Sequence, residues 1–205
     1  MIRFLIQAIK NYRSTGAVAP SSRFLARAIV QSIPDHANKR VLEIGCGTGA
    51  FTKEILNKLQ SGDEFHVVEL SSEFCAAVEK TLLQQFRKDN PNITVVLHNA
   101  PIEEANIEGK FDSIICGLPF NNFPPELVSR LFALMFGFLK DGCELSYFEY
   151  LGMLKLKRVF GFTAIRRETK QRAKDNDARF EKQSGKQETV WRNIPSCRVV
   201  RLKGC

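Results

Sequence analysis

The sequence lacks several features that would assign it to a class of protein at once. It contains no run of about 18 apolar residues, so we expect no transmembrane helix. Arg3, Gln7 and Lys10 interrupt the apolar N-terminal stretch, which argues against a secretory signal peptide. The six cysteines are scattered, with no Cys-x-x-Cys pair and no grouping with the three histidines. We therefore expect no metal site, no disulfide framework, and a protein of the reducing cytoplasm.

The composition is that of a globular protein with an uneven distribution of charge. The 205 residues suffice for a single domain with a buried core, and 44% of them are apolar. Residues 1–40 carry seven basic groups against one acidic, and residues 151–205 carry fifteen against five. Residues 41–150 carry eight basic groups against sixteen acidic. Basic flanks on an acidic centre predict a polyanionic partner, and charge alone does not separate anionic lipid from nucleic acid.

The most informative stretch is a glycine-rich turn that follows a predicted strand at residues 41–44. Gly45, Gly47 and Gly49 alternate with other residues, and apolar side chains at helical spacing begin at Phe51. Such a turn lets backbone N–H groups approach a ligand closely. The spacing is not the Gly-x-Gly-x-x-Gly of dinucleotide binders, and no Gly-Lys-Ser/Thr follows. The turn therefore favours a cofactor with a small anionic group and a ribose, with a purely structural turn as the alternative.

Two polar residues follow the next two predicted strands, at residues 64–70 and 93–98. Glu69 ends the first of these strands, where a carboxylate can accept hydrogen bonds from both ribose hydroxyls. Asn99 follows the second strand, where an amide can bond an adenine edge. The alternatives are a solvated strand end for Glu69 and a turn residue bonding its own backbone for Asn99.

The second half of the chain continues the alternation of strands and helices. A strand at residues 111–116 runs into a loop rich in aromatics and amides at residues 117–123, where doubly wound sheets hold ligands. We predict a helix from Pro124-Pro125 that ends at Gly142, then a strand at residues 144–151. Two final strands are predicted at residues 189–192 and 198–202.

Both ends of the chain contain candidate contact surfaces. Residues 1–12 form a basic amphipathic pattern that suits a membrane interface, or a helix packed on its own domain. A second helix begins after Ser21-Ser22. Residues 154–182 carry ten basic groups against four acidic, interleaved with aromatics. This pattern suits anionic headgroups, although a solvated surface is the usual meaning of a charge run.

Taken together, the glycine turn, the acid and the amide at the strand ends, and the terminal hairpin resemble the class I methyltransferases that use S-adenosylmethionine. The resemblance spans nearly the whole chain. It implies an α/β fold with a doubly wound, Rossmann-like seven-stranded sheet whose last strand is antiparallel. We expect N-terminal amphipathic and capping helices at residues 1–34 and the cofactor-binding domain at residues 35–205, a single domain overall.

Two branches of this family share Glu-Ile-Gly-x-Gly-x-Gly with a Leu-Pro-Phe/Tyr loop: rRNA adenine dimethyltransferases and bacterial phospholipid N-methyltransferases. Residues 15–26, 117–124 and 190–199 are similar to three motifs of the phosphatidylethanolamine N-methyltransferases. These motifs are Gly-Ala-Val-x-Pro-Ser-Ser, Ser-Gly-Leu-Pro-x-x-Asn-Phe-Pro and Asn-x-Pro-Pro-Ala-x-Val. The rRNA enzymes typically carry Asn-Leu-Pro-Tyr and an added helical domain, whereas this chain has Gly117 in place of that Asn and few residues after the sheet.

The chain departs from the phospholipid pattern at two places. Pro-Ser-Cys at residues 195–197 stands where Pro-Pro-Ala is expected, and Phe120-Asn121 fills the two variable positions of the loop. The first change affects only a turn, and the second leaves the headgroup preference open.

The resemblance implies a role for each matching residue. The cofactor-binding residues would be Ser22, Glu43, Gly45, Gly47, Gly49, Glu69, Leu70, Asn99, Ala100, Ile102, Gly117, Leu118 and Pro119. Here Glu43 braces the glycine turn, Glu69 holds the ribose, and residues 117–119 border the sulfonium. The residues beside the reacting amine would be Phe120, Asn121 and Tyr147, and no metal is implied. Phe123 and Tyr150 are further candidates for an aromatic face toward a quaternary ammonium product.

These expectations define a first hypothesis and two alternatives. The first is a peripheral enzyme that methylates phosphatidylethanolamine at the inner face of the membrane, with contacts from residues 1–12 and 154–182. The second is an rRNA adenine N-methyltransferase, whose phosphates the basic flanks would hold. The third is a protein that retains the cofactor fold without catalysis, which the intact glycines and Glu69 disfavour.

Overall fold

The chain builds one mixed sheet, seen in a computed structural model that describes residues 21–120, 123–151, 178–179, 181 and 183–204. Its strands in chain order are Arg40–Ile44 (β1), Glu64–Val68 (β2), Thr94–His98 (β3), Phe111–Cys116 (β4), Leu139–Tyr150 (β5), Lys186–Val190 (β6) and Cys197–Lys203 (β7). They lie in the order β3-β2-β1-β4-β5-β7-β6. Strands β1 to β5 are parallel, and β7 runs antiparallel to both β5 and β6. This confirms the predicted fold class.

Helices cover both faces of the sheet. They are Arg23–Ile29 (α1), Ala50–Leu56 (α2), Ser72–Val78 (α3), Gln84–Asp89 (α4) and Pro125–Phe138 (α5). A π-helical turn at Glu79–Leu83 joins α3 to α4, and single 3₁₀ turns lie at Val30–Ser32 and Ile102–Glu104.

Two separate apolar clusters fill the space between helices and sheet. Successive side chains of a strand point to opposite faces, so Val41 belongs to one cluster and Leu42 to the other. The first cluster packs α1, α2 and α3 against the sheet, and the second packs α5 there. Because the central strands are buried on both faces, they are nearly continuous apolar runs, as parallel strands of this kind require.

The end of α5 corrects one prediction. The helix ends at Phe138 rather than at Gly142, because Leu139 already pairs with Phe111 on the neighbouring strand. Gly142 lies inside β5 with φ of 75°, and its N–H donates to the carbonyl of Gly204 at 3.0 Å. The pairing with β4 shifts between Phe111 and Ser113, so the residues around this glycine form an irregular part of β5.

The apolar face of the helical segment from α3 to α4 is irregular. Cys75, Val78 and Leu83 pack into the core, whereas Ala77 is exposed. The π-helical turn adds one residue to the helical repeat, which rotates the apolar face between Val78 and Leu83.

The structure describes little of the two segments that the sequence predicts as contact surfaces. The predicted helix at residues 1–12 and most of residues 154–182 lie outside the described residues. Within the ranges that are described, no helix is both long and apolar enough to cross a bilayer.

Candidate functional site

The glycine turn between β1 and α2 is held in a conformation that few other residues adopt. Gly45, Gly47 and Gly49 have φ of 78°, 52° and 84°, all in the left-handed region. The N–H of Gly45 donates to the carbonyl of Val68 at 2.8 Å, which continues the parallel pairing past the strand ends. The N–H of Gly49 donates to the carbonyl of Cys46 at 2.9 Å and closes the turn.

The three glycines serve different purposes. A Cβ on Gly45 would lie 2.8 Å from Cδ2 of Leu118, and one on Gly49 would lie 2.7 Å from Cδ1 of Leu82. A Cβ on Gly47 would have no heavy atom within 4 Å. Gly45 and Gly49 therefore allow close packing, while Gly47 faces open space at the edge of the sheet. The role of this opening in holding the methionine part of S-adenosylmethionine remains a prediction.

Glu69 faces the same turn from the end of β2. One carboxylate oxygen accepts from the N–H of Gly47 at 3.0 Å, and the other accepts from the N–H of Ser71 at 2.8 Å. The residue is only 5% exposed. Because a carboxylate has about four acceptor positions, it can take up ribose hydroxyls and keep these backbone bonds.

Glu43 lies beneath the turn and is fully buried. Its Oε2 accepts from the hydroxyl of Thr52 at 2.7 Å, which ties β1 to α2. Its Oε1 accepts no hydrogen bond from any described residue. Burial raises the pKa of Glu43 to about 8, with a smaller contribution from the negative charge of Glu69. The carboxyl is therefore protonated at neutral pH in the folded protein.

This burial predicts a pH dependence of stability. The folded pKa of about 8 lies above the ordinary value of 4.5, so between these values the folded protein keeps a proton that the unfolded chain has lost. Relative to Glu43→Gln, we expect the free energy of unfolding of the unmodified protein to fall by about 1.4 kcal/mol per pH unit as the pH rises through this window. The fall ends above about pH 8. Urea unfolding at several pH values measures it.

The control for this prediction is Glu73→Gln, which removes an exposed carboxylate from α3. Its stability should follow that of the unmodified protein at every pH above about 5. Parallel curves for Glu43→Gln and the unmodified protein would show that Glu43 is ionised in the fold.

The residues expected around the adenine lie together at the ends of β2 and β3. The Nδ2 of Asn99 donates to the carbonyls of Glu69 and Leu70 at 3.0 and 3.2 Å, so this amide joins two strand ends. Ile102 is buried in the cluster beneath, and Ala100 packs against it. The adenine role of these residues remains a prediction, and the observed bonds show that Asn99 shapes the edge on which it lies.

The loop after β4 lies directly against the glycine turn. The N–H of Gly117 donates to the carbonyl of Ile44 at 2.8 Å. A Cβ at Gly117 would lie 2.4 Å from the carbonyl oxygen of Gly45, which leaves no room for any side chain. Leu118 then packs its side chain under Gly45, and Pro119 is half-buried beside it.

An aromatic cluster backs this loop. The rings of Phe120 and Tyr147 have centroids 5.6 Å apart, and Phe132 of α5 packs at 5.0 Å from the first and 5.1 Å from the second. Phe123 lies 6.3 Å from Phe120. Burial raises the pKa of the Tyr147 phenol above its usual range, so the hydroxyl stays protonated. Tyr150 lies apart from them, on the opposite face of the sheet.

Some site residues escaped the sequence analysis. Phe132 and Phe136 are four residues apart, which is the spacing of one helix face. The rings that pack on Phe132, however, also include Phe120 of the loop and Tyr147 of β5. Arg179, from the basic segment, places its guanidinium 4.4 Å from the Phe132 ring centroid. Thr52 gave no signal beyond its place after the glycines.

Two predicted site residues, Ser22 and Asn121, differ from the others in what the structure shows of them. The side chain of Ser22 caps α1 by accepting from the N–H of Leu25 at 3.3 Å. Its own N–H donates to Oδ1 of Asn193 at 3.0 Å, so in the structure its bonds go to protein. Asn121 lies outside the described residues.

The sheet order, the glycine turn and the acid at the end of β2 define a class of protein. A family model described as a methyltransferase domain matches residues 42–145, about half of the chain. The chain belongs to this family, and it is a class I methyltransferase that uses S-adenosylmethionine.

The chain is also similar to several individual methyltransferases. An ornithine lipid N-methyltransferase of Singulisphaera acidiphila is 29% identical over 137 residues, which span 64% of this chain and 68% of that protein. A malonyl-[acyl-carrier protein] O-methyltransferase of Ilyobacter polytropus is 25% identical over 55% of this chain and 39% of its own length. An O-methyltransferase of Bacillus cereus, solved with S-adenosylhomocysteine, superposes with a TM-score of 0.62 at 13% identity. It covers 98% of this chain and 90% of its own, and at that identity it shows the fold alone.

Proposed function

We propose that this methyltransferase transfers methyl groups to the amine of phosphatidylethanolamine at a membrane surface. Among the relatives, the ornithine lipid N-methyltransferase acts on a lipid, and it spans more of this chain than the O-methyltransferase does. The three motifs at residues 15–26, 117–124 and 190–199 point in the same direction.

The observation that carries the proposal is the close approach of Gly117 to Gly45. The rRNA adenine enzymes typically carry Asn at this position, and here a Cβ would lie 2.4 Å from a backbone oxygen. The loop is therefore built for glycine, as in the phospholipid enzymes. This supports a lipid amine over a nucleobase as acceptor.

The chemistry asks little of the protein beyond position. When bound, the cofactor would supply an electrophilic methyl group on its sulfonium. As a neutral amine forms a bond to that methyl carbon in line, the C–S bond breaks and S-adenosylhomocysteine leaves as the neutral thioether. The loop from Gly117 to Phe120 lies where it can orient that amine toward the space above Gly47. Phe120 and Tyr147 provide aromatic surface beside the loop, and such surface suits the quaternary ammonium that forms after repeated methylation. A backbone carbonyl or water can accept the proton that the amine must lose.

A direct competition among acceptors tests the proposal. The full chain is given methyl-labelled S-adenosylmethionine together with phosphatidylethanolamine vesicles, ornithine lipid vesicles, ribosomal RNA and small amines, each in a separate reaction. We expect label in phosphatidylethanolamine, and none when Glu69→Ala replaces the unmodified protein. Label in ornithine lipid alone would correct the headgroup. Label in RNA alone would overturn the proposal in favour of the adenine enzyme.

A further inference from the structure

The turn between β6 and β7 exposes two large apolar side chains. Trp191 is 75% exposed and Ile194 is 88% exposed. In the part of the chain that the structure describes, these are the two large hydrophobic residues that face solvent. Both lie in one four-residue stretch. Single exposed apolar residues are normal, but their concentration at one tip marks an interaction surface.

The turn is held in shape by a buried amide. Asn193 is 4% exposed, and its Nδ2 donates to the carbonyl of Pro195 at 2.7 Å and to Sγ of Cys197 at 3.0 Å. Its Oδ1 accepts from the N–H of Ser22 at 3.0 Å, which joins the turn to the start of α1. Asn193 thus points inward and fixes the shape of the turn, while Trp191 and Ile194 point outward.

The turn lies at the same edge of the sheet as the candidate site. Cys197, where β7 begins, pairs with Tyr150 at the carboxyl end of β5. The N–H of Leu151 donates to the carbonyl of Ser196 at 2.8 Å. Because the parallel strands end at one edge, residues 191–196 extend beyond the edge that also carries the glycine turn and the loop at residues 117–120.

Two arginines lie at the base of the turn, and further cations line a cavity beside α1. The guanidinium carbons of Arg192 and Arg23 lie 4.1 and 5.0 Å from the ring centroid of Phe24. Arg23, Arg27 and Lys53 line a cavity of about 410 Å³ between α1 and α2. Glu54 is the acidic residue of that lining, and it pairs with Arg27 at 3.6 Å. The cations placed beside the turn are therefore Arg192 and Arg23, which share the Phe24 ring.

We propose that the turn at residues 191–194 inserts into the headgroup region of an anionic phospholipid bilayer. Trp191 and Ile194 enter the boundary between headgroups and acyl chains, while Arg192 and Arg23 meet lipid phosphates. Trp with an aliphatic residue and flanking cations is the composition that partitions to this boundary. Insertion would turn the site edge of the sheet toward the lipid. The choice of a lipid partner rests on the proposed function, but the surface itself is independent of it.

The chain carries its own probe, because Trp191 is its single tryptophan. The full protein is mixed with vesicles of phosphatidylcholine alone, or of phosphatidylcholine with phosphatidylglycerol. We expect the Trp191 emission to shift to the blue only with the anionic vesicles. Bromine-labelled acyl chains should quench that emission. Ile194→Ser keeps the probe and should weaken vesicle binding by about tenfold, since it removes one aliphatic side chain from the boundary.

Two charge variants test whether Arg192 itself contacts lipid phosphate or whether the overall charge of the protein alone attracts it to the vesicles. Arg192→Gln should weaken binding to anionic vesicles, whereas Lys186→Gln, with the same loss of charge at the other end of β6, should bind nearly as the unmodified protein does. Circular dichroism and thermal unfolding check that each variant is folded. Equal binding by the two charge variants would overturn the assignment of the cationic contact to the turn.

The results also distinguish this proposal from the function itself. An unchanged Trp191 spectrum on anionic vesicles overturns insertion, even where phosphatidylethanolamine in vesicles is methylated. A response of Trp191 to RNA but not to vesicles overturns it as well. Insertion without methylation of any lipid would support the membrane surface and refute the proposed acceptor.

Discussion

Glu69→Ala is expected to lower the affinity for S-adenosylmethionine by at least about 100-fold. The carboxylate lies beside the glycine turn, and the two charge-assisted hydrogen bonds that we predict to the ribose hydroxyls would contribute roughly 1.5–3 kcal/mol each. The substitution also removes the acceptor of the Gly47 N–H, which is bonded at 3.0 Å. Isothermal titration calorimetry measures the affinity directly.

The Glu69→Gln variant separates the loss of the negative charge from the loss of the hydrogen-bond acceptor. The amide oxygen can still accept from Gly47, but the negative charge is gone, so we expect a loss of about tenfold. Glu73→Ala, at an exposed position a few residues along the chain, should bind the cofactor normally. Normal affinity in a folded Glu69→Ala protein would show that the ribose is held elsewhere.

Gly117→Ala is expected to reduce the free energy of unfolding by about 3 kcal/mol. The added Cβ would lie 2.4 Å from the carbonyl oxygen of Gly45. That atom belongs to the backbone of a glycine turn that is itself packed against Leu118, so it cannot rotate away as a side chain could. Urea unfolding measures the loss, and the cofactor affinity should fall with it because the turn must shift.

The matched control is Gly137→Ala on α5. A Cβ at Gly137 would have no heavy atom within 4 Å, so this substitution should be neutral or stabilise by up to about 1 kcal/mol. Equal stability of the two variants would show that the turn yields easily. The structural argument against an rRNA adenine acceptor would then fail.

The sheet and the positions of the glycine turn and Glu69 could be predicted because each depends on residues that are close together in the sequence. Buried parallel strands are short apolar runs, and the left-handed turn at Gly45–Gly49 requires glycine whatever surrounds it. The position of Glu69 after the next strand then follows from the topology, since the carboxyl ends of neighbouring parallel strands meet at one edge.

Contacts between distant elements were not predictable in the same way. The helix pattern after Pro125 continues toward Gly142, and only the pairing of Leu139 with Phe111 ends it earlier. Phe132 carries an ordinary core signal, although in the fold it lies between Phe120 and Tyr147. The separation of Tyr150 from Tyr147 follows from the odd spacing of two residues along one strand, once that strand is known to be buried on both faces.

The contact between Gly117 and Gly45 has a consequence for how such an enzyme can change its acceptor. The loop and the turn, which we propose border the acceptor and the cofactor, touch backbone to backbone. Position 117 therefore cannot gain a side chain while the turn stays in place. We therefore expect new acceptor preferences to arise through later loop positions such as Phe120, whose ring contacts other side chains rather than backbone. A mutational library for altered substrates would keep residue 117 fixed and vary the loop beyond Pro119. In this chain, a side chain at position 117 would have to be accompanied by a displaced glycine turn.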